Sequence, residues 1–404
     1  MVVTKTSLAP LVEIGPPLTR DELHRYSRHL LLPQIGETGQ RRLRNARVCV
    51  VGAGGLGSPV LLYLAAAGIG HLGIVDDDHV DLSNLQRQVI HGTDDVNRLK
   101  ADSARDAVHR LDPSIDVTLH PVRLTVANVD NVLTGYDLVI DGTDNFPTRY
   151  LINDACVRLG VPLVWGSIFQ FDAQVAVFWG RPPQGSGALA VQLRDLFPAP
   201  PPAGSVPSCA EGGVLGALCG QVGSVMAAEA VKLITGAGRV LLGQVLVLDG
   251  LDGRWTAIPL VADDSRSALP RAEDDLDDSR ATRDGDGDAA GSRVATCTPH
   301  ELQERLARRA SGVEDFALVD VRQPGERSIV AIPGAHDMPL GAILDGSGLG
   351  DIPTGLPVVL YCRSGVRSEQ AARVLLAAGY RNVTHLDGGI LAWVDRVAPE
   401  LPRY

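Results

Sequence analysis

Residues 47–57 read Arg-Val-Cys-Val-Val-Gly-Ala-Gly-Gly-Leu-Gly, and their reading decides the fold. The apolar run Arg47 to Val51 predicts a buried strand. Gly52-Ala-Gly54-Gly55-Leu-Gly57 comes next, then a helix from Pro59 to Ala67, then a strand Leu72 to Val75 closed by Asp76. A G-x-G-x-x-G turn between a strand and a helix, with an acid ending the next strand, fits a dinucleotide-binding fold. The glycines let the backbone approach phosphates, and the helix N-terminus adds partial positive charge. Asp76 would hold a ribose hydroxyl.

Working outward, Thr19-Arg-Asp-Glu22 is a capping box opening a helix to about Leu31. Further strands are expected at Val117 to Leu119, Leu138 to Ile140, Leu163 to Trp165 and Val175 to Phe178, with a long, largely buried helix from Val214 to Ile234. Near the C-terminus, Thr298-Pro-His-Glu301 is a second capping box with Pro299 at the first helical position. Strands are expected beyond it at Ala317 to Val319 and Val358 to Tyr361. This alternation predicts an α/β fold with parallel sheets in both halves. Between the halves, residues 263–293 carry ten acids against five arginines and almost nothing to bury, which reads as a flexible acidic linker. As a coil it would average roughly 30 Å end to end. The expected organisation is a domain over 1–262, the linker 263–293 and a smaller domain over 294–404.

Composition narrows the function. The 404 residues are 45% hydrophobic and 21% charged, an ordinary globular balance. A net charge of −11 argues against nucleic acid or an anionic membrane as the main partner. Apolar runs such as Val60 to Ile69 are well short of the ~20 residues of a membrane span. The N-terminal residues lack a basic start leading into an apolar stretch, so no secretory signal is expected. Six scattered cysteines without a C-x-x-C point to a reduced, cytoplasmic protein.

The glycine turn alone is compatible with an NAD-dependent oxidoreductase. The residues beyond Asp76 shift the balance. Ser83-Asn84-Leu85-Gln86-Arg87-Gln88 is dense in hydrogen-bonding groups, and Lys100 is one of three lysines among 37 lysines and arginines, as if a compact charge were needed on a phosphate. Asp141-Gly-Thr-Asp144-Asn145 ends a strand, where open α/β sheets place ligands, and a carboxylate there can hold Mg2+ against a triphosphate. Arginine, lysine and an acid around one phosphate site suit phosphoryl chemistry better than hydride transfer.

Together, Gly52 to Gly57, Asp76, Ser83 to Gln88, Lys100 and Asp141 to Asn145 resemble the MoeB/ThiF adenylyltransferases, bacterial relatives of ubiquitin-activating enzymes, over about residues 19–262. The resemblance implies ATP-driven adenylation of the C-terminal Gly-Gly carboxylate of a ubiquitin-like sulfur carrier protein. It implies ATP binding by Gly52, Gly54, Gly55, Gly57, Asp76, Ser83, Asn84, Leu85, Gln86, Arg87, Lys100, Asp144 and Asn145, with Asp144 acting through Mg2+. Arg28, in a family-like Arg25-Tyr-Ser-Arg28-His, would reach the partner subunit's ATP, implying a homodimer. Many members bind a structural zinc through two C-x-x-C pairs. Here Gln192-Leu-Arg-Asp195 and the stretch after Leu251 lack cysteine, so no zinc is expected.

Two cysteines carry expected chemistry. Cys209, in Pro207-Ser-Cys209-Ala-Glu-Gly-Gly-Val-Leu-Gly ahead of the long helix, would have its thiolate favoured by a helix N-terminus. Within the resemblance it matches a thioester-type nucleophile; the alternative is a buried small residue. Cys49, Cys156 and Cys219 read as core, and Cys297 has no catalytic companion. Cys362-Arg363-Ser-Gly365-Val-Arg367-Ser368 comes directly after the strand Val358 to Tyr361. Its backbone N–H groups and helix N-terminus would make a nest for an anion, with Arg363 and Arg367 adding charge. A phosphatase and a sulfurtransferase both use such a loop. Leu318-Val-Asp320-Val-Arg322, Ile332-Pro-Gly-Ala335, the six-residue span Cys362 to Arg367 and Gly388-Gly389-Ile390-x-x-Trp393 resemble a single-domain rhodanese, although Ala331 stands where that pattern has histidine. The whole resembles a fused adenylyltransferase/sulfurtransferase, whose sulfur would come from thiosulfate or a cysteine desulfurase through a Cys362 persulfide. A passive rhodanese docking module, a Rossmann oxidoreductase and a non-catalytic scaffold are the rival readings.

Overall fold

A computed structural model describes residues 8–201, 213–263 and 294–403 of the protein. These residues fall into two compact units, the first ending at 263 and the second starting at 294.

In the first unit, β1 (Arg47–Val51), β2 (His71–Val75), β3 (Asp116–His120), β4 (Leu138–Asp141), β5 (Leu163–Phe169), β6 (Asp172–Phe178), β7 (Gln244–Asp249) and β8 (Arg254–Pro259) form one sheet in the order β3-β2-β1-β4-β5-β6-β7-β8. Its helices are α1 (Arg20–Arg25), α2 (Ser27–Leu30), α3 (Gly36–Asn45), α4 (Gly57–Ala67), α5 (Lys100–Leu111), α6 (Val129–Leu133), α7 (Phe146–Leu159), α8 (Leu193–Leu196) and α9 (Gly216–Thr235). Strand pleating sends alternate residues of β1 to opposite faces. Val48 and Val50 join the core made with α4, α5 and α9, while Cys49 and Val51 join the one made with α6 and α7. The sheet is therefore covered on both sides, as its continuous apolar strands require. Helix α9 has the length and apolarity of a membrane span, but Val222, Met226, Ala230 and Ile234 are buried in the first of these cores.

Two expectations need correction. The sheet is mixed, with β5, β6, β7 and β8 pairing antiparallel. Only Gln170 and Phe171 separate β5 from β6, and a link that short permits a hairpin but no crossover. The helix expected from Thr19 to Leu31 is interrupted at Tyr26, which is buried and donates its hydroxyl to Asp112 at 2.7 Å. The tyrosine packs on Gly68, where an added Cβ would lie 2.4 Å from its ring. The Thr19–Glu22 capping box itself is formed.

The second unit is a five-stranded sheet built from β9 (Ala295–Cys297), β10 (Ala317–Asp320), β11 (His336–Asp337), β12 (Val358–Tyr361) and β13 (Val383–Leu386), in the order β11-β10-β12-β13-β9 and parallel throughout. Helices α10 (Pro299–Ala310), α11 (Pro324–Ile329), α12 (Leu340–Leu344), α13 (Val366–Ala377) and α14 (Gly389–Arg396) accompany it. Val319, Leu360 and Cys362 belong to one core; Leu318, Val359 and Tyr361 belong to the other.

Candidate functional sites

The first site lies where β1 and β4 run side by side. The chain passes outward from β1 to β2 and β3, then returns to β4 on the other flank of β1. Such a reversal opens a crevice at the carboxyl ends of the strands. The glycine turn and the Asp141–Asn145 loop both emerge there and touch. Gly142 N–H donates to the Val51 carbonyl at 2.9 Å, and a Cβ on Gly52 would lie 3.2 Å from Gly142. Gly52 has φ +91°, and a Cβ on Gly57 would fall 1.8 Å from the Gly52 carbonyl oxygen. No other residue fits either position without moving the turn.

Around this turn the expected residues divide by what they do. Asp76 accepts from Ala53 N–H at 2.8 Å and from Asp78 N–H at 2.9 Å. Burial raises its carboxyl above the usual range, and Lys100 works against that rise. Lys100, the first residue of α5, is buried and reaches the exposed Asp78 at 3.0 Å. Arg87 runs its stem beside Gly55, whose added Cβ would lie 3.6 Å from Arg87 Cγ. Ser83, Asn84 and Asn145 build local turns. The Ser83 hydroxyl donates to Asp81 at 2.6 Å, Asn84 completes a reciprocal cap with Asp81, and Asn145 caps α7 by accepting from Thr148 N–H at 3.0 Å. The Gln86 carbonyl, next to Leu85, approaches the start of α9, where a Cβ on Gly216 would meet it at 2.2 Å. Asp144 is exposed at the mouth, and Arg28 is exposed on α2.

Sequence reasoning missed Arg149 and His91, and the supporting role of Asp141, in holding this site together. Asp141 is fully buried beneath the loop, and burial raises its carboxyl; its Oδ1 accepts from Thr143 N–H at 2.9 Å and from the Thr143 hydroxyl at 2.7 Å. Arg149 donates to the Thr143 carbonyl at 2.9 Å and to Ser167 at 2.9 Å, and stacks on Phe146 and Trp165. His91 bonds the Ala53 carbonyl. Arg149 and His91 belong to no motif whose spacing announces the role, and Asp141, though it opens the Asp141–Asn145 motif, supports the loop from beneath.

The second site lies at the end of β12. Cys362 is 1% exposed. Gly365, with φ +106°, donates its N–H to Cys362 Sγ at 3.1 Å and starts α13. The Ser368 hydroxyl lies 3.5 Å from the same sulfur and 2.9 Å from the Gly365 carbonyl. From the opposite side, Ile390 N–H donates to the Cys362 carbonyl at 2.8 Å and Leu391 N–H to the Arg363 carbonyl at 3.2 Å. Two loop carbonyls are thus taken up by α14, and the Gly365 N–H is turned to the sulfur, where a loop N–H favours an anion. The approach needs Gly389, where a Cβ would lie 2.5 Å from the Cys362 carbonyl oxygen.

One expectation about this loop is corrected. Arg367 does not offer its charge freely to the sulfur: its guanidinium binds both oxygens of Glu326, at 2.8 and 2.7 Å, and both residues are buried. A buried arginine settles on a carboxylate because an uncompensated charge there is costly. The Asp320–Arg322 pair of the second signature, at 2.6 Å, is wholly buried and structural. Cys49, Cys156, Cys219 and Cys297 are buried. Cys209 lies outside the described residues. Among the described residues, no group of three or more His, Cys, Asp or Glu side chains is placed to hold a metal.

Comparison with known proteins places both domains in families. The ThiF family matches residues 26–268 and the rhodanese-like domain matches residues 298–396. A probable adenylyltransferase/sulfurtransferase MoeZ of Mycobacterium tuberculosis is 51% identical over 399 residues, 99% of this chain and 100% of that protein. The adenylyltransferase and sulfurtransferase MOCS3 of Drosophila sechellia is 39% identical, over 96% of this chain and 86% of its own length. A sulfur carrier protein adenylyltransferase of Thermus thermophilus is 54% identical over 59% of this chain and 87% of its own. Among solved structures, Escherichia coli MccB with ATP superposes with a TM-score of 0.51 at 20% identity, covering 60% of this chain and 73% of that one, a likeness of fold. The chain belongs to the ThiF family, and it is an adenylyltransferase and sulfurtransferase with a rhodanese-like domain C-terminal to the adenylating one.

Proposed function

We propose that the two sites work in series on one substrate, a ubiquitin-like sulfur carrier protein ending in Gly-Gly, in the cytoplasm. The observation that carries this reading is the presence in one chain of two unlike sites: a phosphate-type turn flanked by Arg87 and Lys100, and a buried cysteine whose sulfur faces the Gly365 N–H and the Ser368 hydroxyl. In the first step a carrier carboxylate oxygen attacks the α-phosphorus of ATP, the bond to pyrophosphate breaks and an acyl-adenylate forms. Gly54, Gly55, Arg87 and Lys100 bind the phosphate chain and offset charge as it shifts toward the leaving group. Asp144 would hold Mg2+. A single exposed carboxylate suits that ion, which takes one or two carboxylates and completes its shell with phosphates and water; bound there it supplies charge neutralisation. Arg28 of a second subunit would complete the pocket of a homodimer.

In the second step Cys362, loaded as a persulfide by thiosulfate or a cysteine desulfurase, attacks the acyl carbon through its terminal sulfur and AMP leaves. Attack of the Cys209 thiolate on Cys362 Sγ then releases the carrier thiocarboxylate. It leaves a Cys209–Cys362 disulfide for an external thiol to reduce. The acidic stretch 263–293 between domains 1–262 and 294–404 would act as a tether, keeping the rhodanese domain at high effective concentration. Mass spectrometry of a Gly-Gly carrier incubated with enzyme, Mg-ATP and thiosulfate tests the sequence. Oxygen-for-sulfur exchange at the carrier terminus is expected, and Cys362→Ala should abolish it while pyrophosphate release continues. Unchanged exchange in that variant would make the rhodanese domain a bystander.

A further inference from the structure

His91 sits between the adenylation turn and α5, and is buried. Its Nε2 lies 3.0 Å from the Ala53 carbonyl oxygen, and its Nδ1 lies 2.8 Å from the hydroxyl of Ser103, itself 1% exposed on α5. A carbonyl only accepts, so Nε2 must carry a proton, whichever way the Ser103 hydroxyl, which also bonds the Asp95 carboxylate, is turned. Burial lowers the His91 pKa, with Lys100 acting the same way and the Ala53 hydrogen bond and Asp95 acting against it.

The consequence lies in the turn. Among the described residues the peptide bonds are all trans, so a carbonyl and the N–H of the next residue point opposite ways. His91 draws the Ala53 carbonyl inward, which turns the Gly54 N–H outward. Asp76 fixes the preceding peptide by accepting from Ala53 N–H at 2.8 Å. Ser58 fixes the peptide after it, since its N–H and its hydroxyl donate to the Gly54 carbonyl at 2.9 and 2.6 Å. Three successive peptide planes are thereby set before any ligand arrives, and the middle one depends on His91.

We propose that His91 is a positioning residue of the adenylation site, presenting the Gly54 N–H to the phosphate chain of the bound nucleotide. The inference rests on the ATP-binding reading of this turn. It is tested on the full chain by calorimetric titration with ATP and, separately, with adenosine, which lacks phosphates. Glutamine can place its Nε2 where the histidine Nε2 stands, whereas asparagine is too short to reach. His91→Gln should therefore keep ATP affinity within about three-fold, and His91→Asn should lose roughly ten-fold or more, the effect of one buried hydrogen bond. Adenosine affinity should be unchanged in both. Equal losses for ATP and adenosine, or full ATP affinity in His91→Asn, would overturn the proposal. If His91→Asn does not fold, Ser103→Ala, which frees the ring, should show the same selective weakening of ATP, and its absence counts against the proposal. A wild-type chain that binds no ATP would overturn the nucleotide reading itself, and this inference with it.

Discussion

The adenylation turn and the Cys362 loop share one plan, a parallel strand feeding a glycine-bearing loop and then a helix, yet they treat charge and space in opposite ways. At the adenylation turn the backbone is fixed from behind by Asp76, Ser58 and His91, while Asp144 and Ser83 stand exposed in front. Its buried lysine leans on an aspartate that water still reaches. At the Cys362 loop the sulfur itself is enclosed, and the neighbouring arginine is locked to a buried glutamate. An open floor with adjustable cations suits a large polyanion that must enter and leave. A closed cradle with its cation already matched suits one atom that stays attached to the protein.

The contrast can be broken in order of severity. Gly57→Ala forces a Cβ into the Gly52 carbonyl; it should cut carrier-dependent ATP–pyrophosphate exchange by roughly a hundred-fold or more, since ångström-scale misplacement costs that much. Thiosulfate:cyanide sulfurtransfer, measured in the same preparation, should be unaffected. Glu326→Gln strands the Arg367 charge in the second unit and should destabilise that unit by about 3–5 kcal/mol in chemical denaturation, the usual cost of halving a buried pair. Asp78→Asn removes the partner of Lys100 from a mostly exposed position. Its effect on stability should be below about 1 kcal/mol, because Lys100 can turn to solvent or to phosphate. A large loss from Asp78→Asn would erase the distinction between an adjustable cation and a locked one.

Much of this is legible from residue order. The strand β1, the glycine turn through Gly57 and the capping boxes at Thr19 and Thr298 derive from local periodicity and steric rules, whereas the full burial of Cys362 does not, because two flanking arginines read as an open loop. Strand–helix alternation misleads where β5 to β8 pair antiparallel, since the deciding signal is the two-residue link at Gln170 and Phe171. Arg367 reads as a free charge because its partner lies 41 residues upstream, and no rule of spacing joins α11 to α13. His91 escapes sequence reasoning for the same kind of reason: its role is defined by a backbone carbonyl, which carries no side-chain identity to recognise.

The enclosure of Cys362 has one more consequence. A bare thiol this enclosed offers almost no surface to the carbonyl of another protein's tail. Adding one sulfur atom lengthens the arm by about 2 Å and carries the reactive end toward the loop's rim. In the proposed sequence the burial of Cys362 would thus act as a safety catch: an empty enzyme would hold no blade long enough to strike the activated tail, and only a charged one would.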